Sequence, residues 1–210
     1  MRPTVIIAAL TIVSTLLPEA AAQARRFRIR DDGGSRVTFV SDAPLETING
    51  VSSRVRGEIT FDPGNLSSVR GRVEVPVASL RTGIDLRDEH LRSDAWLDAE
   101  QHPRAVFEIT GVEGASRLRP NQEVRLTIRG RFTIHGVTRR VTARARVKWI
   151  PLTEEMRAAP GIDGDVLRVR ARFRIRLTDF GVEVPTVVRL KVSNEITVTA
   201  NLRAIAEPSS

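Results

Sequence analysis

Residues 123–149 read EVRLTIRGRFTIHGVTRRVTARARVKW, and one pattern runs through them twice. Val124, Leu126, Ile128, Phe132 and Ile134 alternate with Glu123, Arg125, Thr127, Arg129, Arg131 and Thr133, the period of two expected of a strand with one face in a core and one in water. His135-Gly136 supplies a turn, after which Val141, Ala143, Ala145, Val147 and Trp149 alternate with Thr142, Arg144, Arg146 and Lys148. The spacing predicts a β-hairpin. Gly130 interrupts the apolar row, and a glycine in mid-strand marks a bulge or bend where a sheet curls.

Outward from this hairpin the period repeats. Phe27, Ile29, Val37 and Phe39 alternate with Arg28, Arg30, Arg36 and Thr38 around Asp31-Asp32-Gly33-Gly34, predicting a short strand pair. Val55, Gly57, Ile59 and Phe61 precede the turn Asp62-Pro63-Gly64-Asn65, and Val69, Gly71, Val73, Val75 and Val77 follow it. The period stops from Thr82 to His102, where Asp85 to Asp94 is predicted to form a short helix serving as a crossover or lid. Strand resumes at Val106–Val112, which carries Phe107 and Ile109. Val169, Ala171, Phe173, Ile175 and Leu177 then alternate with Arg168, Arg170, Arg172, Arg174 and Arg176, and Ile196, Val198, Ala200, Leu202 and Ala204 form a last strand. About eight strands and one helix predict an all-β fold, a closed antiparallel barrel in preference to a sandwich. Gly57, Gly71 and Gly130 within the apolar rows suit the bends that closure needs.

All but Lys148 and Lys191 of the 33 basic residues are arginine, and the net charge is +8. Spread singly through nearly every strand, these arginines read as a solvated face. Aromatics are 4% and Tyr is absent, so platforms for stacking bases are scarce and no nucleic-acid partner is expected. The absence of cysteine excludes disulfides, thiolate metal sites and a Cys nucleophile. Arg2, the apolar run Val5–Leu17 and Ala22-Gln23-Ala24 have the form of a secretory signal, assigned here to residues 1–24, with a barrel domain at 25–206 and a polar tail at 207–210. The run is shorter than the ~20 residues a spanning helix needs. The mature chain is accordingly expected to be periplasmic or secreted.

Three stretches carry more than periodicity: Glu89-His90-Leu91-Arg92-Ser93-Asp94-Ala95-Trp96-Leu97-Asp98-Ala99-Glu100-Gln101-His102-Pro103, Gly130-Arg131-Phe132-Thr133-Ile134-His135-Gly136-Val137-Thr138, and Leu177-Thr178-Asp179-Phe180-Gly181-Val182. In this order they resemble the YceI family of lipid- or polyisoprenoid-binding proteins, over about Phe27 to Leu202. The resemblance implies a lipocalin-like eight-stranded barrel holding a long isoprenoid or other apolar lipid, a polyisoprenoid or isoprenoid quinone. It supplies no catalytic residues.

On the apolar rows and the insert, the lipid-binding lumen and lid are assigned to Val37, Phe39, Val55, Ile59, Val73, Val75, Trp96, Leu97, Phe107, Ile109, Leu126, Ile128, Phe132, Ala143, Ala145, Ala171, Phe173, Ile175, Phe180, Val198 and Ala200. The alanines among them leave little side-chain volume inward. No cofactor beyond the bound lipid, no metal and no enzymatic activity are expected. The insert's Asp85, Asp88, His90, Asp94, Asp98, Glu100 and His102 offer donors without a ligand spacing such as H-E-x-x-H, and read as helix-surface and loop groups. His135 reads as a turn residue bonding local backbone. No G-x-S-x-G elbow surrounds Ser52, Ser53 or Ser93. Two alternatives stand beside the lipid binder. One is an outer-membrane barrel with its apolar face turned to lipid, which would force the arginines of 168–176 into a narrow lumen. The other binds anionic partners, a membrane surface or a polyanion, through peripheral contact with the arginine-rich outer face.

Overall fold

The computed structural model describes residues 24–207, so the expected signal segment, apart from Ala24, and residues 208–210 lie outside the described residues. Ten strands form one sheet: β1 (Arg25–Ile29), β2 (Arg36–Asp42), β3 (Thr47–Ser52), β4 (Arg56–Asp62), β5 (Asn65–Pro76), β6 (Arg104–Glu113), β7 (Glu123–Ile134), β8 (Val137–Ile150), β9 (Val166–Arg176) and β10 (Glu195–Ala206). The helices are α1 (Asp85–Arg92) and the one-turn α2 (Glu154–Arg157). Every strand pair is antiparallel, and β1 bonds both β4 and β10, which closes the sheet.

The ten segments make eight staves. One edge of β10 is covered by β2 along Ile196–Asn201 and by β1 along Ala204–Ala206, so β1 and β2 are one interrupted strand. They do not pair with each other, which corrects the strand pair expected around Asp31–Gly34. The reason is local. Asp32 accepts from the Gly34 amide at 2.8 Å and from Arg203 at 3.0 Å, while Ser35 Oγ accepts from the Arg203 amide at 3.0 Å. Those bonds hold the extra residues as a bulge against β10 instead of reversing the chain. β3 and β4 form the neighbouring broken stave, β3 against β2 and β4 against β1.

The hairpin at 123–149 folds as its alternation predicts, with Val124 opposite Val147, Leu126 opposite Ala145 and Ile128 opposite Ala143. His135 and Gly136 have φ of 51° and 71°, the left-handed pair of a two-residue turn whose twist matches the strands. At Gly130 a Cβ would lie 2.5 Å from the Phe107 ring and 2.7 Å from the Glu108 carbonyl oxygen. The register of β6 shifts between Ile109 and Gly111 directly alongside. The bend therefore comes from a bulge in β6, and the glycine in β7 admits the Phe107 ring.

The apolar rows point inward and the arginines outward: Val169, Phe173 and Ile175 are buried while Arg168, Arg170, Arg172, Arg174 and Arg176 are exposed. That orientation rules out a barrel facing lipid with its apolar side, because the guanidinium groups would occupy the hydrocarbon. On the wall made by β1, β4, β5 and β6 the arginines other than Arg70 are ion-paired. Glu74 takes Arg72 at 2.6 Å and Arg104 at 3.2 Å, and Asp31 takes Arg54 at 2.7 Å and Arg56 at 3.1 Å. The hydrogen bond from Arg72 holds the Glu74 carboxyl below the usual carboxylate range, and that from Arg54 does the same for Asp31. Carboxyls depressed on folding stabilise fully above their unfolded pKa, about 4, and lose that contribution as pH falls through the lowered value. Melting temperatures are expected to stay level from neutrality down to roughly pH 5 and to decline below about 4. A melting temperature that rises on acidification would contradict this assignment.

Candidate lipid-binding cavity

A cavity of about 570 Å³ occupies the barrel. Part of its volume traces to the inward row across β9, β10 and β2, where Ala171, Ala200 and Val37 stand side by side and all line the cavity. The two alanines leave a gap that larger side chains would fill. Phenylalanines cluster on the lining. Phe107 and Phe132 are register partners, and the Phe173 ring lies 5.5 Å from the first and 5.2 Å edge-on from the second.

One end is sealed. The β6–β7 connection, residues 114–122, folds under the barrel, with the Leu66 amide donating to the Ser116 carbonyl at 2.9 Å and the Leu118 amide to the Pro63 carbonyl at 2.8 Å. This places Leu118, buried, as the floor of the cavity. Behind the floor, the Asn121 amide donates to the Trp149 carbonyl at 2.8 Å and the Trp149 indole to Asp165 at 2.9 Å.

The other end is the mouth, framed by α1 with Trp96 and Leu97, the β2–β3 turn, and the β9–β10 connection around Val188–Val192. All polar residues on the lining, Ser41, Glu46, Thr82, Arg87, His90 and Lys191, belong to this end. Below them the wall is hydrocarbon only. Buried Asp88 anchors α1, accepting from the Thr82 amide at 2.7 Å and the Thr82 hydroxyl at 2.6 Å, and Arg87 reaches across to Glu46 at 2.5 Å. Removing the carboxyl leaves the half-buried Thr82 donors without partners, so Asp88→Ala is expected to cost about 1–3 kcal/mol and to raise amide exchange across α1, whereas exposed Asp85→Ala should stay within ~0.5 kcal/mol. Equal effects of the two substitutions in chemical denaturation would refute this role for Asp88. The exposed large apolar side chains among the described residues, Leu45, Ile84, Leu86, Val187 and Leu190, all fall on the segments that frame the mouth.

Most of the lumen positions assigned from sequence lie on this wall: Val37, Phe39, Ile59, Val73, Val75, Trp96, Leu97, Phe107, Ile109, Leu126, Ile128, Phe132, Ala143, Ala171, Phe173, Ile175, Val198 and Ala200. Val55, Ala145 and Phe180 do not. Val55 is fully buried at the break between β3 and β4, and Ala145 is buried off the cavity. Phe180 packs edge-on behind Phe132 at 5.7 Å, outside the lumen. Sequence reasoning missed Leu91, Leu118, Val188, Lys191 and Val192, which come from connections with no period to reveal their direction. The insert's polar groups diverge: Asp88 is tied to Thr82, His90 stands at the mouth, and His102 meets His135 edge-on at 5.3 Å. His135 does not bond its own turn. Its Nδ1 lies 3.0 Å from the Phe180 carbonyl oxygen and so ties the hairpin tip to the β9–β10 connection.

A family model described as the YceI-like domain matches residues 30–204. A UPF0312 protein of Pseudomonas putida (strain W619) is 26% identical over 193 residues, 91% of this chain and 94% of its own. The protein named YceI of Salmonella newport (strain SL254) is 30% identical over 139 residues, 65% of this chain and 69% of its own. Among solved structures, a polyisoprenoid-binding domain from Saccharophagus degradans implicated in plant cell wall breakdown superposes with a TM-score of 0.66 at 17% identity, covering 87% of this chain and 98% of that one. BcnA of Burkholderia cenocepacia gives 0.65 at 19% identity, covering 83% and 98%. These structures share the fold.

Proposed function

For a chain that belongs to the YceI family, we propose that the barrel binds an apolar lipid, a polyisoprenoid or isoprenoid quinone, with its tail in the lumen and its polar end at the mouth. One observation carries the reading: a cavity of about 570 Å³ with a hydrocarbon wall, closed below and polar only at its opening. Each methylene buried against that wall contributes about 0.8 kcal/mol, so a tail of many carbons offsets the costs of immobilisation and gives firm binding of a chain insoluble in water. The Saccharophagus degradans neighbour, described as polyisoprenoid-binding, supports the ligand class. Below the mouth the wall offers no nucleophile, acid or base, which supports binding without chemistry. The apolar run Val5–Leu17 and the small residues at 22–24 support export, to the periplasm or beyond.

Trp96 lines the mouth, and the second tryptophan, Trp149, lies off the lumen behind its floor. In a Trp149→Phe background, titration with a polyprenyl alcohol should shift Trp96 emission to a saturating endpoint at about one ligand per chain. Unchanged emission, with no lipid retained after gel filtration, would refute the reading.

A further inference from the structure

The net charge of the chain is concentrated on one wall. Neither β8 nor β9 contains an acid, and their outward positions carry Arg140, Arg144, Arg146 and Lys148 beside Arg168, Arg170, Arg172, Arg174 and Arg176. The register stacks these cations in rows across neighbouring strands: Arg125 opposite Arg146 opposite Arg170, Arg144 opposite Arg172, and Lys148 opposite Arg168 opposite Arg203, a row that ends on Glu123 beside Lys148 and on Asp32, paired with Arg203. Among the described residues, no carboxylate lies within ion-pair distance of Arg125, Arg144, Arg146, Lys148, Arg168 or Arg172. The opposite wall carries carboxylates among its arginines: Glu74, Asp31 and Glu207 each hold two, and Glu108 holds Arg72 together with Arg131 of β7. Side chains directly opposite across strands come within about 5 Å, and like charges there destabilise a sheet. The folded chain carries that repulsion on one face only, and an anionic partner would relieve it.

We propose that the outer face of β7, β8 and β9 docks the barrel side-on to the phosphate headgroups of an anionic bilayer. Arginine suits that surface because its planar fork grips phosphate oxygens in pairs. The outward positions of the three strands hold no aromatic ring, so nothing on this face stacks nucleic-acid bases. The choice of a bilayer over another polyanion rests on the lipid-binding reading, since a lipid cargo is exchanged at a membrane and the mouth is ringed by exposed Leu45, Ile84, Leu86, Val187 and Leu190. The concentration of positive charge does not rest on it.

The test compares sedimentation of the full chain with vesicles of phosphatidylcholine alone and of phosphatidylcholine mixed with phosphatidylglycerol, at low and high salt. The mixed vesicles should bind at least roughly tenfold more protein, and high salt should release it. A variant with Arg144→Gln, Arg146→Gln, Arg170→Gln and Arg172→Gln should lose about tenfold or more of that binding, melt no lower than the wild type and still take up polyprenyl alcohol by Trp96 emission. A second variant with the same change of net charge on the ion-paired wall, Arg28→Gln, Arg56→Gln, Arg72→Gln and Arg104→Gln, should keep vesicle binding within about twofold of the wild type. Equal losses in the two variants, no preference for the anionic vesicles, or tighter salt-matched binding to single-stranded DNA or heparin than to those vesicles would overturn the proposal. Vesicle binding as described in a protein that takes up no lipid would instead leave the docking face standing and remove the lipid-binding function.

Discussion

Ala171→Phe is expected to leave the barrel folded and to empty it of lipid. Ala171 lies on the cavity wall, in the middle of the alanine row, with Ala200 and Ala145 as its register partners. A phenyl ring placed there enters open volume, so the ligand-free protein should melt within a few degrees of wild type. It then occupies space in the one channel the lipid tail can use, and at about 0.8 kcal/mol per displaced methylene the loss of a few carbons lowers affinity by well over tenfold. Ala145→Phe behaves differently although the two alanines face each other. Ala145 is buried and lies off the cavity, so a ring there overpacks its surroundings at about 1–3 kcal/mol. Lipid uptake measured by Trp96 emission and thermal melts of both variants separate these outcomes. Marked destabilisation by Ala171→Phe would show a packed interior.

Phe180→Ala is expected to have the opposite signature, a large loss of stability with the lumen still able to fill. The Phe180 ring is buried against Phe132 at 5.7 Å, and its carbonyl oxygen lies 3.0 Å from Nδ1 of His135, so this residue joins the β9–β10 connection to the β7–β8 turn. Truncation leaves a hole behind the barrel wall and should cost about 3–5 kcal/mol in chemical denaturation. At temperatures where the variant remains folded, lipid uptake should persist, because the ring is not part of the wall that the ligand meets. A variant of normal stability that had lost uptake would return Phe180 to the lumen.

The contrast between these two residues shows where the sequence is informative. In β7, β8, β9 and β10 a strict period of two fixes which side chains point inward, and their register and burial follow it. Alternation does not say whether an inward side chain meets empty space or another side chain. Ala145 and Ala171 look alike in sequence and differ only in what surrounds them. The broken staves were hidden for another reason. β3 reads Thr47-Ile48-Asn49-Gly50-Val51-Ser52, too polar and small to show an apolar row, and the Phe39 ring of β2 covers the place where a Gly50 side chain would stand. The turn residues Asp31–Gly34 carry the composition of a chain reversal, yet their bonds to Arg203 make them a bulge. The floor residue Leu118 lies in a connection held by backbone hydrogen bonds to Pro63 and Leu66, which leave no periodic trace. The arginines are legible one by one as a solvated face. Their stacking into unpaired rows is a property of register, which only the paired strands reveal.

Mass spectrometry of organic extracts from the natively purified full chain asks whether the lumen holds a lipid tail. The cavity predicts an isoprenoid chain at close to one molecule per protein, absent from extracts of Ala171→Phe prepared in parallel. Wild-type extracts free of any long-chain apolar molecule, from protein that also fails to take up added polyprenyl alcohol, would contradict it.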